Sequence, residues 1–133
     1  MIPAADGNLN NNIQIEEIPS HTFYIDIEKH RIYGYADRKE AMKQAIYLCL
    51  NTERYHYVIV SRNYGVELAS LFGKPVTYVI PEIKRRFSEA LTHDNRIIRL
   101  EDWNFEVNKN VVTAQFTAVT VYGNLDITKA VTF

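Results

Sequence analysis

WNFEVNKNVVTAQFTAVTVYGNLDITKAVTF, residues 103–133, decides the fold. Its apolar residues recur with period two. Trp103, Phe105 and Val107 alternate with Asn104, Glu106 and Asn108. Val112, Ala114, Phe116 and Ala118 alternate with threonines and Gln115. Successive side chains of a strand point to opposite faces, so this pattern describes strands with one buried face. Asn108-Lys109-Asn110 and Gly123-Asn124 are hairpin-type turns, and Leu125 to Phe133 supplies a last strand. The prediction is a three-stranded antiparallel meander that begins near Arg96.

Upstream the period changes to that of a helix. Asp37 is a suitable N-cap, with Glu40 three residues later as a capping box. In KEAMKQAIYLCLN, Met42, Ala45, Ile46, Cys49 and Leu50 fall on one stripe, which makes Cys49 a small core hydrophobe. HYVIVS (56–61) reads as a short strand, punctuated by Asn63-Tyr64-Gly65. Val66 to Phe72 fits a short helical turn closed by Gly73. A second helix is expected from Thr77 to Leu91, with Pro81 in its first turn, where a missing N–H costs least. Ile80, Ile83, Phe87 and Leu91 form its apolar stripe, and Lys84, Arg85 and Arg86 run round its outer side.

At the other end, TFYIDIE (22–28) alternates, with Phe23, Ile25 and Ile27 on one face. Arg31 to Tyr35 is the return strand across a short polar link. The order gives an α+β fold: an N-terminal hairpin, then two main helices packed on a mostly antiparallel sheet that ends in the meander. Ile46, Leu50, Ile83, Phe87, Trp103, Phe105 and Phe116 are expected to share one core. Residues 1–21 read as a flexible arm, rich in Asn and carrying Pro3 and Pro19, and residues 22–133 as a single domain. Ile13, Ile15 and Ile18, set among Glu16 and Glu17, are too apolar for a purely solvated tail and point to contact with a neighbouring surface.

Composition narrows the function. At 133 residues, 47% hydrophobic and 23% charged, the chain is long enough and apolar enough for one folded domain. No apolar run approaches the roughly 18 residues of a membrane span, and MIPAADGNLNNN has neither the basic start nor the apolar stretch of a secretion signal. A net charge of -1 offers no global attraction to nucleic acid or anionic lipid. Cys49 is the single cysteine, which excludes an internal disulfide and fits a reducing compartment. Nine tyrosines and six phenylalanines suit both strands and an extensive contact surface.

No motif for catalysis or cofactor binding stands out. His21, His30, His56 and His93 lack metal-ligand spacing, so no metal is expected. There is no phosphate-cradling loop and no Gly-x-Ser-x-Gly, so no cofactor is expected either. Lys84-Arg85-Arg86 could touch phosphates, but Glu82 and Glu89 share its helix, and a solvated face or protein contact is the better reading. Glu53, Glu67, Asp94, Glu101 and Asp102 have the residue type of a glycosidase's carboxylate pair, without a spacing that singles any out.

The ordered series EAMKQAIYLCLNTERYHYVIVSRNYGVELASLFGKP (40–75), an amphipathic helix, then THDNRI (92–97) resembles the small baseplate wedge family of contractile phage tails. It is most similar to the XkdS-like proteins of PBSX-type prophages in Gram-positive bacteria. The residues that carry the likeness are Asn51-Thr52-Glu53-Arg54 after the first helix, Tyr64-Gly65, and Leu71-Phe72-Gly73-Lys74-Pro75. The hairpin FYIDIEKHRIYGYADRKEA (23–41) precedes them. The resemblance implies a virion structural protein rather than an enzyme, made in the host bacterial cytoplasm and carried in several copies in the tail baseplate. Its implied partners are other wedge proteins and the tail sheath, with no nucleic acid or membrane. In the wider family a Glu-Pro-Arg motif docks on the wedge core. Asp94-Asn95-Arg96 stands there, so Arg96 is the implied interface residue, Asp94 orients it, and Asn95 replaces the rigid proline. Relatives also resemble the sheath's handshake domain and act as the platform where sheath polymerisation begins. The alternative is a peptidoglycan-cleaving glycosidase.

Overall fold

A computed structural model describes residues 20–133. The expected arm lies outside the described residues except for Ser20 and His21. The architecture is α+β, with two helices and two antiparallel sheets.

β1 (Thr22–Asp26) and β2 (Arg31–Ala36) form a two-stranded sheet of their own, not part of a larger one. Asp26 stops β1 by accepting the Lys29 N–H at 3.0 Å, which draws Ile27 into the turn and off the face it was expected to share. A register shift between Phe23 and Ile25 further breaks the alternation. Phe23, Ile32 and Tyr35 are left exposed. The hairpin is held to the first helix by the Gln44 amide, which accepts from Ile25 N (3.0 Å) and donates to the Phe23 carbonyl (2.8 Å).

α1 (Arg38–Leu50) starts at Asp37, as read from the sequence. The Asp37 carboxylate accepts the Arg38 N–H at 2.7 Å rather than that of Glu40, so the reciprocal capping box does not close. Met42, Ile46, Cys49 and Leu50 are buried along its stripe. The helix ends where Asn51 and Thr52 turn their side chains back onto the carbonyls of Tyr47 and Leu48.

The strand expected at His56–Ser61 is absent. Those residues form turns, with Val58 102% and Ile59 94% exposed. High β propensity needs a neighbouring strand to express it. The one pairing available here is a bridge between Glu53 and Val66, and Tyr55, at φ 67°, turns the chain away from it.

Gly65 is required at that bridge. Its φ is +94°, and a Cβ there would lie 2.5 Å from the Thr52 carbonyl oxygen. That oxygen already accepts the Val66 N–H at 3.0 Å. Gly65→Ala is therefore expected to cost at least about 1–3 kcal/mol, read as a lowered denaturation midpoint. An unchanged midpoint would show that the loop can shift aside. The Glu53 carboxylate then accepts Leu68 and Ala69 N–H at 3.1 and 3.2 Å, starting the single 3₁₀ turn Ala69–Leu71.

α2 (Val76–Thr92) begins one residue earlier than expected. Pro81 falls in the second turn, not the first, as it would also from a start at Thr77, and the Thr77 carbonyl loses its intrahelical donor. Val79, Ile83, Phe87, Ala90 and Leu91 are its buried face.

β3 (Ile97–Asn108), β4 (Val111–Thr120) and β5 (Gly123–Thr132) are the expected meander, in the order β3-β4-β5. Val112, Ala114, Phe116 and Ala118 of the central strand face the helices. Phe87 packs 6.0 Å from Phe116, which stacks on Trp103 at 4.6 Å. Ile46, Leu50, Ile83, Phe87 and Phe116 share the core as expected. Trp103 and Phe105 are only partly buried against it, because β3 is an edge strand whose register breaks between Glu101 and Asn104.

Candidate docking site around Arg96

Asp94-Asn95-Arg96 forms the tight connection from α2 to β3. Asp94 N–H donates to the Leu91 carbonyl at 3.2 Å, and Ile97 N–H donates to the Asp94 carbonyl at 3.0 Å. This folds Arg96 back onto Asp94. Asp94 Oδ1 accepts from the Arg96 backbone N–H and from Nε, both at 2.9 Å, and Oδ2 accepts from Nη2 at 2.6 Å. A two-pronged ion pair of this kind fixes the plane of the guanidinium. The Arg96 hydrogen bond and charge hold the Asp94 carboxyl below its ordinary range. Asn95 is exposed.

Two further partners come from far along the chain. Arg96 Nη1 donates to Ser20 Oγ at 2.7 Å, and Ser20 Oγ lies 3.0 Å from the Tyr122 hydroxyl. Val121 N–H donates to the Arg96 carbonyl at 2.9 Å. Arg96 thus joins the end of α2, the β4–β5 turn and the start of the hairpin. Its side chain is still 32% exposed, and that of Asp94 30%. Neither Ser20 nor Tyr122 was legible as a site residue, since each sits in an ordinary polar or turn context and meets Arg96 only through the fold.

Beside Arg96 opens a cavity of about 330 Å³. Ile46, Cys49, Leu91 and Ile97 line its depth, with Asp94 and Arg96 among the charged groups at its edge. Burial pushes the Cys49 thiol up, so it stays protonated there. A second groove that Arg96 also lines runs past Ser20, Ala41, Gln44 and Leu48.

Residues 15–123 match the family model described as contractile injection system sheath initiator. The chain is also 35% identical over 116 residues to the phage-like element PBSX protein XkdS of Bacillus subtilis (strain 168), spanning 84% of this chain and 82% of that protein. The chain belongs to the contractile injection system sheath initiator family. It is an XkdS-like phage tail protein, with a structural role in a contractile tail. The matched span includes Arg96 and stops at Gly123, where β5 begins.

On the outer side of α2 most of the charge is spent internally. Arg86, expected on the outer side of α2, has a side chain only 11% exposed. It pairs with Glu82 at 2.9 Å and donates to the Glu67 carbonyl and Ser70 Oγ, both at 2.6 Å. Arg85 bridges Glu82 and Glu89, and Glu89 also binds Arg54 Nη1 at 2.9 Å. The basic stripe is therefore a ladder of ion pairs, in which Lys84 alone keeps an exposed head without a pair among the described residues. Of the carboxylates with glycosidase potential, Glu53 is committed to backbone N–H groups, Asp94 to Arg96 and Glu101 to Arg99. The shift at Asp94 is downward, opposite to what a general acid needs. Among the described residues no group of three His, Cys, Asp or Glu is placed to hold a metal ion.

Hydrogen bonds from Arg85 and then Arg86 bring the Glu82 carboxyl down to about 2 from an ordinary 4.5. A depressed carboxyl stabilises the fold above its unfolded pKa, and that contribution is lost as pH falls through the folded value. The Glu82 side-chain carbon resonance is expected to titrate near 2, and acid is expected to weaken the ladder between about pH 4.5 and 2. A midpoint at the ordinary 4.5 would show that the ladder does not form in solution.

Proposed function

We propose that this sheath initiator sits in the tail baseplate, docks on the helical core of the wedge through Arg96, and presents its meander as the first template for the sheath. It acts there in several copies, with residues 22–133 as the docking domain. The observation that carries the reading is the asymmetry of the meander's two edges. β3 is broken by register shifts between Ile97 and Arg99 and between Glu101 and Asn104, and bears Arg99, Glu101, Asp102 and Glu106. Such features blunt an edge. β5 pairs with β4 from Gly123 to Thr132 without a shift, and its far edge has no strand beside it among the described residues. An open, regular edge of this kind accepts an extended segment from another chain by β-augmentation.

On the docking side, Asp94 holds the guanidinium plane in one orientation while leaving part of it open to solvent. A planar guanidinium suits a bidentate contact to a carboxylate or to carbonyls.

Amide exchange separates this reading from a role elsewhere in the tail. On mixing with sheath subunits, protection is expected to rise along the outer edge of β5 and to stay unchanged along β3. Tails assembled without this chain are expected to keep their tubes and lack sheath. Sheath of normal length on such tails, or protection gained at β3 alone, contradicts the proposal.

A further inference from the structure

We propose that the cavity beside Arg96 is an anchor pocket. It receives one large apolar side chain, aromatic or leucine-sized, from the protein that docks there, and Arg96 takes a carboxylate on the same segment of that protein. This rests on Arg96 being a docking residue, and it names the chemistry of what docks. The pocket's walls come from three regular elements: Ile46 and Cys49 from α1, Ala90 and Leu91 from the end of α2, and Ile97 from the start of β3. Such walls are formed before any partner arrives. They enclose about 330 Å³. An apolar cavity of about 150 Å³ in another protein stays dry and holds one benzene. Roughly twice that space has room for a ring with its methylene stem. One helical turn, about 10 Å across and about 5.4 Å long, is larger than the whole cavity, so only side chains enter.

The mouth has a different character. Ser61, Asn63 and His93 are exposed there, beside Asp94 and Arg96. Asp94 is the one carboxylate among the lining residues, and both its oxygens are held by Arg96. A guanidinium has five N–H donors. Asp94 and Ser20 take one each on Nε, Nη1 and Nη2, which leaves one on Nη1 and one on Nη2 without a partner among the described residues. Two N–H groups on neighbouring nitrogens form the fork that a carboxylate meets with both oxygens. The depth therefore favours an apolar group and the mouth an anion, and the complementary segment carries both. In such contacts the desolvated anchor supplies most of the affinity, while the charge at the edge sets the register.

The first test needs no partner. The full chain, with carbon-13-labelled isoleucine and leucine methyls, is titrated with phenylpropanoate and separately with the uncharged phenylpropanol. Both are expected to shift the methyl resonances of Ile46, Leu91 and Ile97, the acid at about a tenfold lower concentration, the worth of a hydrogen bond to a charged group. In Arg96→Ala the preference for the acid is expected to vanish while the alcohol binds as before. Unmoved methyls in the parent chain, or equal affinity for the two probes, overturn the proposal. The second test fills the pocket. Cys49→Met extends a flexible side chain from its depth and leaves Arg96, Asp94 and Ser20 in place. At an unchanged melting temperature, binding to the wedge protein proposed as partner is expected to fall about tenfold or more, the scale of losing an interface anchor. Normal binding by Cys49→Met beside weak binding by Arg96→Ala keeps Arg96 as a docking residue and overturns the anchor pocket. Normal binding by both variants removes the docking reading, and the anchor pocket falls with it. A Cys49→Met chain that melts lower is judged by the probe titration of the parent chain, which requires no substitution.

Discussion

Phe87→Ala lowers the stability of the domain by about 3–5 kcal/mol, the expected cost of removing a buried aromatic ring from a core that cannot collapse around the gap. Phe87 is fully buried at the centre of the α2 stripe. Its ring faces Phe116 on the middle strand of the meander, so the substitution removes the contact through which helix and sheet recognise each other. β4 is held by β3 and β5 on its two sides, and α1 packs alongside α2. These neighbours leave little freedom to close the cavity. Native domains are stable by only about 5–15 kcal/mol, so the loss is a large share of the total. Urea denaturation of parent and variant measures it. A difference under about 1 kcal/mol would mean that the site is plastic and that Phe87 is not central to the core.

Arg96→Ala, by contrast, is expected to leave the domain folded and, under the proposed docking, to weaken assembly by roughly 2–5 kcal/mol, the cost of removing one partner from a buried charged contact. The Arg96 side chain, about a third exposed, stands at the junction of α2, the β4–β5 turn and the hairpin. Removing it frees Asp94 and Ser20, both close enough to solvent or to other partners for the change in the isolated domain to be small. Arg96→Lys rescues assembly only in part, since an ammonium cannot reproduce the planar fork that Asp94 orients. The pair of measurements is binding of the purified domain to the wedge protein proposed as its partner and a thermal melt of each variant alone. Normal binding removes Arg96 from the interface. A variant that fails to fold makes Arg96 a structural tie between the three elements.

Much of the fold was legible, for identifiable reasons. Period two over residues 103–133 and the helical stripes of α1 and α2 each persist for more than two turns or several strand pairs, long enough to outweigh local accidents. HYVIVS misled because six residues of strand-forming composition carry no information about whether another strand is within reach. Trp103 and Phe105 were expected deep in the core; their spacing was right, but only the fold reveals that β3 is an edge. Arg86 was placed on the outer side by its helical angle, and its long side chain reached back to the Glu67 carbonyl. The candidate site was legible only through family resemblance. Asp94 and Arg96 are two residues apart, a spacing found on any surface. Their significance lies in Ser20 and Tyr122, which are brought up by the tertiary structure.

The central position of β4 also shapes how the chain comes into being. The stripes of α1 and α2 close on Val112, Ala114, Phe116 and Ala118. Those residues are synthesised after both helices. At about 5–20 residues per second, the roughly 40 residues from Thr92 to Val131 take some 2–8 s to emerge, during which both helices have no sheet to cover them. A chain that stalls on the ribosome before β4 exposes Phe87 and its neighbours to whatever else is nearby. Folding of this protein is thus tied to completion of the meander.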